Sequence, residues 1–300
     1  MSMFFSAEIH DWASWGNIFR SIEAWTPLIR NIFEKEKIPS GHIGNLTAGT
    51  NAVFKVDDYV VKIFAPKEAG FSGTDLQTEA AAMKHALSLG VSIPKLVTTG
   101  KIEDKYFFEY MIMEYINGRG FDEAAAKFSG EEKYAFGRRL RNTTGLLNKP
   151  CRQENMIDVI RNTENNRRWD KYSETFRRER LEHINKYNYT EKVFVHGDLC
   201  GDNILVANNG EITIIDFADA VMAPAIYEHA LVASELFAFE KPFLHGYFGE
   251  YNPEELADLC FNGLLIHDFG GDIAEHRIAK AGEFKNFADL RDRIFTLLCG

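Results

Sequence analysis

The spacing of apolar residues in the first part of the chain predicts helices followed by a strand-rich domain. Trp25, Leu28, Ile29 and Ile32 recur at helical spacing, which predicts a helix that ends before the turn formers of IPSG at 38–41. The runs that follow are short, rich in β-branched and aromatic residues, and bounded by turn residues. They predict strands within LTAGTNAVFKV, VDDYVVKIF, IPKLVTTGKI and KYFFEYMIMEYI.

One amphipathic helix interrupts these predicted strands. The segment TDLQTEAAAMKHALSLG, residues 74–90, begins with Thr74 as a candidate N-cap and ends on a glycine. Its apolar residues share one predicted face, which consists of Leu76, Ala80, Met83 and Leu87. We therefore expect this face to be buried.

After NGRG at 117–120 the apolar spacing becomes mainly helical. Short strands are predicted around 193–195 and 204–206 and within the run EITIIDF. The pattern thus predicts a two-lobed α+β protein. Residues 1–116 form a lobe with a small antiparallel sheet and N-terminal helices, and residues 117–300 form a larger, mainly helical lobe. Clefts between such lobes are favoured positions for ligand sites.

Composition and charge exclude several classes of protein. Of the 300 residues, 45% are hydrophobic and 13% aromatic, as expected for a folded globular chain. The formal net charge of -10 disfavours general nucleic-acid binding, which needs a basic surface. No apolar run is long enough to cross a bilayer, and the four cysteines form no CxxC pair. We therefore expect a cytoplasmic protein with no zinc site, no nucleic-acid partner and no membrane partner.

The segment FVHGDLCGDNILV, residues 194–206, places polar residues between two apolar runs. Its His196, Asp198 and Asn203 are followed by Asp216, in the apolar run EITIIDF. Phosphoryl transfer from a nucleotide needs one carboxylate to orient the attacking hydroxyl, and an amide and a second carboxylate to hold Mg²⁺ on the phosphates. These residues supply that set, although an ordinary turn would explain the first motif by itself.

Two charged residues of the first lobe fit the same chemistry. Lys62 lies inside the apolar strand VVKIF, where its amine needs a partner or a phosphate. Glu79 is the only glutamate of the helix predicted at 74–90, and a glutamate there can pair with the lysine, as in kinases. Taken singly, an edge strand with Lys62 in solvent and a solvent-facing Glu79 are equally good interpretations.

The order and spacing of these motifs, together with the segment MEYINGRG, resemble a known enzyme family. Over roughly residues 40–240, the chain is similar to the aminoglycoside phosphotransferase and choline kinase-like family, which has the protein-kinase-like fold. The resemblance implies that Asp198 is the catalytic base and that Asn203 and Asp216 are the ligands of Mg²⁺. His196 is expected to pack and hydrogen-bond within the loop rather than to act as a base.

The resemblance also implies roles for residues of the first lobe. Lys62 would contact the nucleotide phosphates, with Glu79 as its ion-pair partner. The backbone of the segment from Glu114 to Ile116 would receive the nucleotide base.

The predicted phosphate loop departs from the protein-kinase pattern. LTAGTNAVF contains one glycine where protein kinases have a series, and its form is closer to that of small-molecule phosphotransferases. Gly49, Thr50 and Asn51 can present backbone N–H groups to phosphate. An ordinary hairpin turn fits the same residues.

One acidic stretch bears on the choice of acceptor. Between His245 and His276 there is no Lys or Arg, and there are seven acids: Glu250, Glu254, Glu255, Asp258, Asp268, Asp272 and Glu275. An acidic wall would concentrate a cationic acceptor such as an amino sugar or an amino alcohol. A solvated helix with acids in its first turn explains the same residues.

Together these observations predict a small-molecule kinase that transfers the γ-phosphoryl group of ATP or GTP to a hydroxyl of a small acceptor, with Mg²⁺ as cofactor. A protein kinase is disfavoured, because ADAVMAPAIYEHALV enters a helical pattern too soon for an activation segment. The alternatives are a catalytically silent module of the same fold and a kinase of a neutral sugar or a homoserine-type metabolite. The sequence leaves the acceptor, the choice of ATP or GTP and the oligomeric state open.

Overall fold

A computed structural model describes residues 3–46, 49–70, 75–150, 159, 163–189 and 191–300 of the chain. The chain forms two compact units. The first consists of Met1–Leu87 and Ser92–Asn117, and the second of Ser88–Val91 and Gly118–Gly300. Among the described residues, no helix is both long and apolar enough to cross a membrane.

The first unit is built on a five-stranded antiparallel sheet. Its strands are β1 (Ile43–Asn45), β2 (Ala52–Val56), β3 (Tyr59–Ile63), β4 (Leu96–Glu103) and β5 (Phe107–Glu114). Their order is β1-β2-β3-β5-β4, so β3 is central. Lys62 of β3 lies opposite Val53 on one side and Met111 on the other. The interpretation of Lys62 as a residue of an edge strand is therefore wrong.

The described helices that accompany this sheet are α1 (Trp12–Ile18), α2 (Ile22–Lys35) and α3 (Asp75–Ser88). Helix α2 buries the whole predicted stripe of Trp25, Leu28, Ile29 and Ile32. Phe5 packs against Trp25 and Phe108 at ring-centroid distances of 4.4 and 5.3 Å. This aromatic core joins the N-terminal helices to the sheet.

The buried face of α3 differs from the predicted one. Leu87, which the sequence places on the buried face, is 56% exposed, whereas Glu79 is only 1% exposed. The buried positions of the helix are Leu76, Glu79, Ala82, Met83 and Ala86. The physical reason is an ion pair with Lys62, which lets a carboxylate occupy the centre of a buried face. Thr74, the predicted N-cap, lies outside the described residues.

Helices make up most of the second unit. They are α4 (Phe121–Ala125), α5 (Gly130–Leu147), α6 (Glu174–Lys186), α7 (Ile226–Leu231), α8 (Lys241–Phe248), α9 (Pro253–Ile266), α10 (Gly270–Ile273) and α11 (Phe287–Cys299). Helix α5 packs along α8, and α9 packs against α7 and α11. The α5–α8 approach depends on glycine, because a Cβ at Gly137 would lie 2.4 Å from the Phe243 carbonyl oxygen.

In the described part of the second unit, short strands flank the polar loop. They are β6 (Arg119–Gly120), β7 (Val193–Val195), β8 (Ile204–Val206), β9 (Ile212–Ile214) and β10 (Val221–Ala223). β8 pairs with β6 and β9, and β7 pairs with β10. The strands predicted at 193–195 and 204–206 are confirmed. The segment ADAVMAPAIYEHALV enters a helix at Ile226, as expected, but its residues 221–223 first pair with β7, a partner that is distant in sequence and that the sequence did not predict.

Candidate active site

The loop between β7 and β8 is anchored by the ring of His196. The ring is buried; its Nδ1 accepts the Asp198 N–H at 3.3 Å, and its Nε2 donates to the Ile215 carbonyl at 3.0 Å. Phe217 packs edge-on against it at a centroid distance of 4.6 Å. His196 is therefore a packing and hydrogen-bonding residue, as expected from the sequence.

Asp198 and Asn203 meet within this loop. The Asn203 side-chain amide donates to the Asp198 carbonyl at 2.8 Å and to Asp198 Oδ2 at 2.9 Å. A short 3₁₀ turn over Gly201–Asn203 returns the chain toward the aspartate. Burial raises the pKa of Asp198, and the nearby charge of Asp216 raises it further. The carboxylate is thus held in place by an amide and is more basic than an ordinary aspartate.

Asp216 reaches the same loop from the end of β9. The N–H of the preceding Ile215 donates to the Asn203 carbonyl at 3.0 Å. Asp216 has a φ of 59°, in the left-handed region, and its Oδ1 accepts the Ala218 N–H at 3.4 Å. Strained backbone of this kind in a residue other than glycine clusters at functional sites. The second unit thus brings together Asp198, Asn203 and Asp216.

The segment that follows Asp216 lies directly on the loop. Gly197 has a φ of 88°, and a Cβ at this position would lie 1.9 Å from the Asp219 carbonyl oxygen. Only glycine satisfies both the left-handed backbone and this close approach. The glycine of the HGD motif is therefore required by the geometry.

A buried carboxylate binds the backbone of this loop. The sequence did not predict it. Glu228 of α7 is 0% exposed; its carboxylate accepts the backbone N–H of His196 at 2.6 Å and that of Gly197. Asn148, which ends α5, donates to the other carboxylate oxygen at 2.9 Å. Burial raises the pKa of Glu228 to about 7. One signal could have found it, an acid inside the apolar run AIYEHALV.

Cys200 lies in the same loop and accepts a hydrogen bond from the Asn203 amide at 3.5 Å. Burial raises the pKa of its thiol to about 12, and the charge of Asp198 contributes to the rise. The group therefore stays a thiol at neutral pH, which makes it a poor nucleophile.

In the first unit, Lys62 and Glu79 form a buried ion pair. Lys62 Nζ lies 2.8 Å from Glu79 Oε2, and the two side chains are 4% and 1% exposed. Burying two charges costs several kcal/mol of desolvation per ion, so such a pair is weak as a source of stability. Its location on a central strand instead favours a functional role. The interpretation of Glu79 as a solvent-facing charge is wrong.

The predicted phosphate loop connects β1 and β2, and its Gly49 and Thr50 are exposed. A Cβ at Gly49 would meet no atom within 4 Å, and its φ is not positive, so neither crowding nor a left-handed backbone requires glycine. The Asn51 side chain is 6% exposed, and its Oδ1 accepts the Ala65 N–H at 3.2 Å. Residues 47 and 48 of the quoted segment lie outside the described residues.

The segment from Glu114 to Ile116 continues from β5. The Glu114 N–H donates to the Lys95 carbonyl at 3.0 Å, and the Tyr115 N–H donates to the Asp58 carbonyl at 2.8 Å. Two of the three N–H groups of this segment are therefore used within the first unit.

Acidic residues within 245–276 form ion pairs with lysine and arginine side chains that lie outside this stretch of the sequence. Arg291 lies 2.6 Å from Glu254 and 2.5 Å from Asp258. Lys171 lies 2.5 Å from Asp272. Arginine and lysine residues distant in sequence thus offset several of the negative charges, which weakens the argument for an acidic wall.

The donor atoms of the second unit fit a magnesium ion. The amide nitrogen of Asn203 is held by Asp198, which leaves the amide oxygen as a hard ligand directed elsewhere. Asp216 supplies a carboxylate. Magnesium commonly takes one or two protein carboxylates and completes its shell with water and substrate phosphates, so these two side chains suffice.

Solved structures of other proteins have the same fold as this chain. The GDP complex of wild-type aminoglycoside 2'-phosphotransferase-IIIa has a TM-score of 0.58 and 18% identity, covering 92% of this chain and 99% of that chain. Amicoumacin kinase hAmiN, in complex with AMP-PNP, Ca²⁺ and Ami, has a TM-score of 0.53 and 18% identity, covering 89% and 93%. A choline/ethanolamine kinase family protein from Mesorhizobium loti has a TM-score of 0.57 and 15% identity, covering 85% and 93%.

The chain therefore has the two-lobed, protein-kinase-like α+β fold, which confirms the fold predicted from the sequence. A comparison with curated protein sequences finds no significant match. The profile of the phosphotransferase enzyme family matches residues 45–259, more than half of the chain. The chain belongs to this family, and it is a phosphotransferase whose acceptor is an alcohol group.

Proposed function

We propose that the protein is a small-molecule kinase that transfers the γ-phosphoryl group of ATP or GTP to a hydroxyl of a small acceptor, with Mg²⁺ as cofactor. The observation that carries this proposal is the grouping of Asp198 and Asn203, on the anchored loop between β7 and β8, with Asp216 at the end of β9. Membership in the phosphotransferase enzyme family supports it. In this proposal residues 1–116 bind the nucleotide, and residues 117–300 carry the catalytic loop and the acceptor site.

Asp198 acts on the acceptor. Asn203 binds Asp198 Oδ2 and fixes the carboxylate, which in this proposal takes the acceptor hydroxyl. As the hydroxyl oxygen bonds to the γ-phosphorus, its proton passes to Asp198 and the bond from the γ-phosphorus to the leaving oxygen breaks. The raised pKa of Asp198 favours this uptake of the proton.

Asn203 and Asp216 would hold the metal on the nucleotide phosphates. When bound, Mg²⁺ neutralises the charge that spreads over the phosphoryl oxygens. The strained backbone of Asp216 and the Asn203–Asp198 hydrogen bonds fix both ligands in advance, so little ordering is needed on binding.

The first unit would bind the nucleotide. Lys62 contacts the phosphates and is held by Glu79, and the loop of Gly49, Thr50 and Asn51 offers backbone N–H groups. At the base, the candidate contacts are the Glu114 carbonyl and the Ile116 N–H. The N–H groups of Glu114 and Tyr115 are already used, so Ile116 is the donor that this segment offers.

The complexes of similar proteins support the proposed donor and acceptor. One contains AMP-PNP with Ca²⁺ and another contains GDP, which supports a purine nucleotide and a divalent cation. We propose an acceptor that carries both a hydroxyl and an amine. Kanamycin, which carries both groups, is bound with GDP in a structure of the same fold. The paired acids of residues 245–276 add little to this choice.

The first experiment is a nucleotide-consumption screen with Mg²⁺ and either ATP or GTP. The acceptor panel contains amino sugars, amino alcohols, neutral sugars and homoserine. Turnover with an amine-bearing acceptor supports the proposal, and turnover with a neutral sugar or homoserine instead would replace the acceptor class. If no acceptor stimulates consumption of a nucleotide that binds, the chain is the catalytically silent alternative.

The role of Asp198 is tested by Asp198→Asn, which preserves shape and removes the base. We expect kcat to fall about 10²- to 10⁴-fold, the usual share of a general base, with nucleotide affinity within about twofold. Asp202→Asn is the matched control, because Asp202 is an exposed aspartate of the same loop. Wild-type turnover in Asp198→Asn would contradict the assignment.

A further inference from the structure

Helix α1 places one indole against the predicted phosphate loop. Trp15 is 0% exposed, and its Nε1–H donates to the Thr50 carbonyl at 2.9 Å. Thr50 is exposed and lies 35 residues further along the chain. A buried indole N–H needs an acceptor, and Trp15 takes its acceptor from this loop.

The neighbouring tryptophan makes the equivalent bond elsewhere. Trp25 is also 0% exposed, and its Nε1–H donates to the Ile18 carbonyl at 2.9 Å, at the end of α1. The rings of Trp15 and Trp25 contact each other edge-on at a centroid distance of 5.7 Å. The same aromatic core therefore contains two buried indoles. One donates to the phosphate loop and the other donates to the end of α1.

The bond from Trp15 fixes the direction of one peptide group in the loop. In a planar trans peptide, the carbonyl and the following N–H point in opposite directions. Because the Thr50 carbonyl is directed at Trp15, the Asn51 N–H is directed to the opposite side. The Asn51 side chain is also held, since its Oδ1 accepts the Ala65 N–H at 3.2 Å.

We propose that Trp15 is a positioning residue for nucleotide binding, which acts through the Thr50 carbonyl and directs the Asn51 N–H to the triphosphate. The inference rests on the proposed function, which assigns this loop to the phosphates. Groups that are oriented before binding lose less freedom when the ligand arrives, so the hydrogen bond increases affinity for phosphate without touching it. Helix α1 thereby contributes to substrate binding.

The test compares Trp15→Phe with Trp25→Phe. Each variant keeps an aromatic ring and loses one indole N–H hydrogen bond from the same core. Calorimetry with Mg²⁺ measures the binding of AMP-PNP and GMP-PNP, and separately of adenosine and guanosine, which lack phosphates. We expect Trp15→Phe to weaken binding of the triphosphate analogue about three- to tenfold, the value of one hydrogen bond, and nucleoside binding by less than about twofold. Trp25→Phe should change both by less than about twofold.

Amide hydrogen exchange of residues 49–53 without nucleotide gives a second readout. We expect faster exchange in Trp15→Phe than in Trp25→Phe. Equal exchange in the two variants, equal affinity losses, or an equal loss for nucleoside and triphosphate would overturn the proposal. If the wild type binds neither analogue, the proposed function fails, and the exchange data still decide whether Trp15 holds the loop.

A gentler pair of variants covers the case in which Trp15→Phe does not fold. Asp11 caps α1 by accepting the Ser14 N–H at 2.8 Å, and Ser21 caps α2 by accepting the Ala24 N–H at 3.3 Å. Asp11→Ala should weaken AMP-PNP binding more than Ser21→Ala, because α1 carries Trp15. Equal affinities would count against the proposal.

Discussion

Glu228→Gln should change how stability depends on pH. In the folded protein, burial raises the pKa of Glu228 to about 7 from an ordinary value of 4.5. Below the lower value the carboxyl is neutral in both the folded and the unfolded chain. As the pH rises from 4.5 toward 7, the unfolded chain ionises first, so the stability contributed by the neutral buried group is progressively lost.

The size of the effect follows from the two pKa values. Each pH unit between them is worth about 1.4 kcal/mol, so the full loss is about 3 kcal/mol. Between about pH 5 and about pH 8 it amounts to about 2–3 kcal/mol, because the unfolded group is already partly ionised at the lower pH. Glutamine does not ionise, so the variant lacks this component of the pH dependence.

Urea unfolding of the wild type and of Glu228→Gln at about pH 5 and about pH 8 measures the effect. Other groups titrate alike in both proteins and cancel in the comparison. We expect the wild type to lose about 2–3 kcal/mol more than the variant over this interval. Glu131→Gln, at an exposed position of α5, serves as the control and should follow the wild type.

The Glu228→Gln variant should be less active than the wild type, although its stability depends less on pH. A glutamine amide has one acceptor oxygen, so it cannot accept from both Asn148 and the His196 N–H as the carboxylate does. We expect the catalytic loop to shift and kcat to fall about tenfold or more at about pH 8. Parallel pH profiles of stability in the two proteins would refute the reasoning, because they would mean that Glu228 is not a buried titrating group.

The other predictions concern the ion pair and the glycine of the loop. Lys62→Met should destabilise the fold by about 3–5 kcal/mol, because it leaves the buried Glu79 carboxylate without its cation. The double variant Lys62→Met with Glu79→Leu should recover thermal stability but not nucleotide affinity. Recovery of both would exclude a role of Lys62 at the phosphates. Gly197→Ala should lower Tm and kcat together, since a Cβ would overlap the Asp219 carbonyl. The control is Gly145→Ala, where a Cβ meets no atom within 4 Å; it should be neutral or stabilising by about 0.5–1 kcal/mol. An unchanged Tm in Gly197→Ala would refute the contact.

Local patterns in the sequence predicted a large part of the fold. Helix α2 follows the spacing of Trp25 to Ile32, and β7 and β8 lie where apolar runs flank the polar loop. Asp198 and Asn203 are close in sequence, so their contact in space was readily expected. Lys62 and Glu79 are on different elements, and each alone was equally well explained by exposure to solvent; their pairing was expected only because the motifs resemble the kinase arrangement.

Local sequence patterns could not predict contacts between segments that are distant in sequence. Glu228 is recognisable as a buried acid, but its partners at His196 and Asn148 lie on segments that only the fold brings near. The same holds for β10, which becomes a strand because β7 is available to pair with it. Charge counting along residues 245–276 overlooked Arg291 for the same reason.

The close fit between the polar loop and the segment after β9 has a consequence for control of the enzyme. Hydrogen bonds join Ile215 to both His196 and Asn203, the Asp219 carbonyl lies against Gly197, and β10 pairs with β7. Hydrogen bonds and a strand pair within the second unit therefore join the proposed base and both proposed metal ligands. We therefore expect these residues to need no ordering event such as phosphorylation, and we expect that an inhibitor which displaces the segment must first separate β10 from β7.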